Sequence, residues 1–98
     1  AYSEVIILPN DKWARRVSGV YSNELANKSP DKAHAILTEK EQGDYVVSIR
    51  APLNRKQGAD RLASLFPTGG GRKAAAGINS LPRNKVNVFI EKFNEQFK

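Results

Sequence analysis

Cysteine and methionine are both absent from the 98-residue sequence, which holds one histidine, one tryptophan and only 8% aromatic residues. Without cysteine there is no disulfide, no thiolate nucleophile and no cysteine-ligated zinc, and one histidine cannot build a histidine metal cluster. Long apolar runs are missing as well. None approaches the roughly 18 residues of a membrane span, and no charged segment followed by an apolar stretch has the form of a secretory signal. A cytoplasmic protein without a membrane partner is therefore expected. What is present is 40% hydrophobic and 27% charged, too apolar for disorder and sufficient for one small domain spanning residues 1–98. A domain of this length buries only about 60–65% of its unfolded surface, so its stability margin is small. The chain starts at Ala1 without Met and runs almost directly into Val5 to Leu8, and it is read as a fragment of a longer polypeptide.

The net charge of +6 is unevenly spread: residues 1–49 carry −1, residues 50–73 carry +5 and residues 74–98 carry +2. In the middle segment Arg50, Arg55, Lys56, Arg61, Arg72 and Lys73 are opposed only by Asp60. A field of this kind concentrates anions, although a solvated basic face is the commoner meaning of such a cluster.

Val5-Ile6-Ile7-Leu8, closed by Pro9, has the form of a strand covered on both faces, which favours an interior, parallel position. Trp13, Val17, Val20, Tyr21 and Leu25 then trace one helical face that ends between Asn27 and Asp31. Ala33 to Glu39 and Tyr45 to Ala51 form a hairpin, with Gly43 in the connection free to take positive φ. Ala59, Leu62, Ala63 and Phe66 give a helix of two or three turns that stops at Pro67. Thr68 to Gly71 is expected to be a loop, Arg72 to Ala76 a short helical turn leaving through Gly77, and Gly77 to Leu81 a last strand. From about Arg83, the residues Val86, Phe89, Ile90, Phe93 and Phe97 mark a terminal amphipathic helix. The order β-α-β-β-α-loop-β-α describes a small α/β domain with a mixed β-sheet flanked by helices.

Gly69-Gly70-Gly71 followed by Arg72 and Lys73 would place bare backbone N–H groups at the start of a helical turn, where an anion is favoured and glycines let a phosphate come close. Arg72 and Lys73 add charge, and an arginine can hold two phosphate oxygens at once. A tight helix-to-strand connection would use the same glycines, and the position inside the +5 segment favours phosphate. The loop does not fit a Walker motif, and Gly69-x-Gly71-x-x-Ala74 follows a helix instead of the first strand of a dinucleotide fold. Arg55-Lys56-Gln57-Gly58-Ala59-Asp60 approaches an acetyl-CoA loop, but Asp60 stands where a small neutral residue is needed. Period-two alternation puts Ser48 and Arg50 on one face near a strand end, where ligands of open α/β sheets gather; for Arg50 a surface ion pair is the plainer alternative. His34 is expected at the surface or half-buried, without a chemical role, and Trp13 and Tyr21 belong to the apolar stripe.

Gly69-Gly70-Gly71-Arg72-Lys73-Ala74-Ala75-Ala76-Gly77 resembles the Gly-Gly-Gly-His-x-x-Ala-Ala-Gly signature of the DHH-associated domain, the C-terminal substrate-binding domain of DHH-family phosphoesterases. Ser48-Ile49-Arg50 resembles the Ser-x-Arg that precedes it, and the Trp13 to Leu25 segment is similar to the family's first helix. The resemblance covers nearly the whole chain. It implies a C-terminal fragment whose substrate-binding residues are Ser48, Arg50, Gly69, Gly70, Gly71, Arg72 and Lys73. The ligand would be a phosphorylated small molecule, a nucleotide or a short oligonucleotide. The same resemblance implies an N-terminal DHH catalytic domain of the same polypeptide that carries the Mn²⁺ or Mg²⁺, a fragment inactive by itself, and a possible homodimer of the parent. Arg72 stands where the family has His; it keeps the anion contact but cannot titrate near neutrality. Non-hydrolytic binding of a nucleotide ligand, an acetyltransferase-like protein and a single-strand nucleic-acid binding module are the alternatives.

Overall fold

The computed structural model describes residues 3–9, 27, 28 and 31–97. Five strands, β1 (Ser3–Leu8), β2 (Ala33–Glu39), β3 (Tyr45–Arg50), β4 (Gly69–Gly71) and β5 (Ala75–Leu81), form one sheet in the order β1-β2-β3-β5-β4. β1 runs parallel to β2 and the other pairings are antiparallel. Helix α1 (Ala59–Ser64) precedes β4, and a 3₁₀ turn (Arg83–Lys85) leads into helix α2 (Val86–Gln96). This is the mixed α/β sheet that the sequence predicts. The helix expected over Trp13 to Leu25 lies outside the described residues.

The core lies between one sheet face and the two helices. Ala35, Leu37, Val47, Ile49 and Ile78 from the sheet meet Leu62 and Phe66 around α1 and Phe89, Phe93 and Phe97 around α2. Phe89, Phe93 and the cap residue Phe97 recur every four residues and so share one face, Phe89 stacked on Phe93 with centroids 5.9 Å apart and Phe93 edge-to-face with Phe97 at 5.3 Å. Strict alternation would turn only one of Ile78 and Leu81 inward. A register shift between Tyr45 and Val47 lets both face the core.

The hairpin β2–β3 is as expected, with Gly43 at φ 90°. Its connection is fastened to β5: Ser80 Oγ donates to Asp44 Oδ2, and Lys40 Nζ lies 3.6 Å from the same carboxylate. The serine hydroxyl first, then a backbone N–H and the Lys40 ammonium, hold the Asp44 carboxyl below its usual value of 3.8 against a smaller opposing effect of burial. A depressed carboxyl adds stability above its unfolded pKa and loses it as pH falls through the folded one. In denaturant titrations at about pH 5 and about pH 2, the native protein should therefore lose more stability on acidification than Ser80→Ala. Equal losses would remove Asp44 from the account.

Four expectations are corrected. β1 is parallel to β2 but sits at the sheet edge, with Ile7 53% exposed, not in an interior position. Gly69 to Gly71 is an edge strand and not a loop, because α1 delivers it alongside β5. Arg72 to Ala76 is not a helical turn: Ala75 and Ala76 pair with Arg50 and Ile49, and residues 72–74 are the turn of the β4–β5 hairpin, closed by Arg72 N–H to Ala75 O at 2.8 Å. The helix propensity of alanine yields there to strand pairing. His34 is 1% exposed, since β2 is flanked by β1 and β3 and Glu4 and Arg50 stand opposite it in the register.

Candidate functional site

Alternation along β3 buries Tyr45, Val47 and Ile49 in the core and leaves Val46, Ser48 and Arg50 on the other face. On that face the pairing register sets Ser48 opposite Gly77 and Gly77 opposite Gly70, while Arg50 stands opposite Ala75 at the mouth of the β4–β5 turn. Ser48, Gly77 and Gly70 thus form one row across three strands, roughly 10 Å wide at the usual strand spacing. Two of its three positions have no side chain.

The three glycines have different reasons to be there. A Cβ on Gly69 would run into the carbonyl oxygen of Ala63, so this residue is required by the close approach of α1. Gly71 has φ +145°, and a Cβ there would lie 2.5 Å from Ala76 Cα. Gly70 differs from both: its φ is not positive, and among the described residues nothing lies within 4 Å of where a Cβ would be. Gly77 is intermediate, with its would-be Cβ 3.0 Å from Val47 O. Packing therefore accounts for Gly69 and Gly71, and among the described residues none gives Gly70 a structural reason.

Arg50 is half-buried, and its Nε is buried with no hydrogen-bond partner among the described residues. No carboxylate pairs with it there, so the ion pair considered as its plainer role is not found among them. A buried guanidinium nitrogen without a partner is costly unless something else supplies an acceptor. Arg72 is exposed at the hairpin turn, next to Ala75 and so close in the chain framework to Arg50. Lys73 parts company with this group. It lines a cleft beside α1, together with Arg55 and Arg61.

The structure thus brings Ser48, Gly70 and Arg50 to one sheet face and sets Arg72 at its rim. It gives Gly69 and Gly71 to packing and places Lys73 also in the lining of that cleft. Gly77, expected at a helix exit, is instead part of the bare floor; period two along Ala75, Gly77 and Asn79 was the available signal. Gly58, in the segment resembling an acetyl-CoA loop, caps α1 at φ +103°, and this backbone angle explains the glycine. Among the described residues no three His, Asp or Glu side chains gather as a metal centre needs, and this part of the chain has no donor set for Mn²⁺ or Mg²⁺.

The DHHA1 domain family matches the chain over residues 1–98, and the chain belongs to it: it is a DHH-associated domain, the C-terminal domain of DHH-family phosphoesterases. In such multidomain proteins a DHH domain stands on the N-terminal side. No curated protein matches the chain. Among the described residues no helix is long and apolar enough to cross a membrane.

Proposed function

We propose that this domain holds the phosphate-bearing part of a nucleotide for a DHH-type catalytic domain, on the sheet face formed by Ser48, Arg50, Gly70 and Gly77. Gly70 carries this reading: it is bare although neither its backbone angle nor packing among the described residues requires it, and it lies in the same row as Ser48. The guanidinium of Arg50 supplies charge and a donor without a partner among the described residues, and charge-assisted hydrogen bonds to phosphate are the strong ones. Bare backbone at Gly70 and Gly77 lets the ligand lie against the strands. A floor about 10 Å wide exceeds a lone phosphate, which favours phosphate with its sugar attached.

Metal-activated water would belong to the catalytic partner domain, and this chain's part is to bind and orient. Arg72 at the rim adds positive charge and takes no part in proton transfer near neutrality.

Gly70→Val separates binding from folding. Valine suits an exposed strand position better than glycine, so thermal stability should stay level or rise by up to about 1 kcal/mol. Calorimetric titration with adenosine monophosphate should show binding to the native domain and none to the variant. Unchanged affinity in Gly70→Val would sink the assignment.

A further inference from the structure

The β4–β5 turn does not hang free. Ala59 N–H donates to Lys73 O at 3.1 Å and Ala51 N–H to Ala74 O at 2.9 Å, so the turn is tied to the segment that leads from β3 into α1. This brings Lys73 beside Arg55 and Arg61 around a cleft of about 230 Å³, closed at one side by Gln96 from the end of α2. Three cations from three stretches of chain share it with one carboxylate, Asp60. None of the three cations lies within 4.0 Å of a carboxylate among the described residues. Bringing like charges together around one concavity costs electrostatic energy that a bound anion would offset.

We infer that this cleft is a second anion site, separate from the sheet face, and that it takes a diphosphate group. With Asp60 counted, the described lining residues carry a charge of +2, which matches a dianion or a more highly charged group better than a monoanion. Two guanidinium groups offer paired donors to phosphate oxygens, and the ammonium of Lys73 adds a point charge. Among the described residues no aromatic ring lines the cleft, so they offer no stacking platform of the kind single-stranded nucleic acid uses, and the site recognises phosphate without a base. The diphosphate is either free or the end of a nucleotide.

Calorimetric titration of the 98-residue chain with inorganic pyrophosphate tests this. One site should be found, weakening as salt rises from about 50 to about 200 mM. Arg61→Gln and Lys73→Gln should each lower affinity by about tenfold or more, equivalent to about 1.4 kcal/mol. Both side chains are exposed, so melting temperatures should hold. Arg50→Ala should leave pyrophosphate binding unchanged while lowering that of adenosine monophosphate, so the two sites fail or stand separately. A nucleoside 5′-diphosphate binding tighter than pyrophosphate would assign the group to a nucleotide; equal affinity would assign free pyrophosphate. Absence of binding, orthophosphate binding as tightly as pyrophosphate, or sensitivity to Arg50→Ala in place of the two cleft variants would overturn the assignment.

Discussion

Gly69→Ala is expected to be the most damaging small substitution in the domain, at or beyond the upper end of the roughly 1–3 kcal/mol that overpacking costs. The obstacle is backbone, because the new methyl would meet the Ala63 carbonyl of α1, and a helix cannot swing aside as a flexible side chain can. For a chain of this size about 3 kcal/mol lowers the melting temperature by about 12 °C or more. The neighbouring Gly70→Ala, whose Cβ would meet nothing within 4 Å among the described residues, should melt within about 0.5 kcal/mol of the native protein. The contrast between two adjacent glycines is the measurement. Equal melting temperatures would mean that α1 does not lie against β4.

Arg50→Ala is expected to weaken binding of adenosine monophosphate by roughly ten- to hundredfold, as losing a charge-assisted hydrogen bond costs about 1.5–3 kcal/mol. Folding should suffer little. Among the described residues the Arg50 Nε has no partner to lose, so truncation leaves no newly orphaned group. Arg50→Lys should recover only part of the affinity, because an ammonium does not reproduce the planar pair of donors. Arg72→Ala, at the exposed rim, should weaken binding less than Arg50→Ala. Native-like affinity in Arg50→Ala, read by calorimetry, would take this residue out of the site.

Local patterns carried much of the fold. The β-branched alternation of Tyr45 to Arg50 and the four-residue spacing of the α2 phenylalanines each report a face that is buried, and both elements stand where the spacing put them. What the pattern could not carry was set by partners distant in sequence. A run of three glycines has poor strand propensity, and it becomes β4 only because α1 places it beside β5. The alanines after Arg72 favour a helix by themselves, yet β3 was waiting for a neighbour. Val5 to Leu8 looked interior because an apolar run does not say which of its sides will find a second strand.

The site was legible in the same uneven way. Ser48 and Arg50 could be placed on one face from period two alone. The division of labour among Gly69, Gly70 and Gly71 could not, since it depends on where Ala63 and Ala76 lie. The cleft was hidden for a related reason. Arg55, Arg61 and Lys73 share a +5 segment in the sequence, but nothing in it joined them as one group, and their convergence needed the fold-back of residues 72–74 onto Ala51 and Ala59.

That fold-back is made entirely by main-chain atoms: Ala51 and Ala59 give their N–H groups to the carbonyls of Ala74 and Lys73, and Arg72 closes its own turn through its amide. The side chains at the bend are thus not fasteners, and evolution can exchange them without disturbing the scaffold.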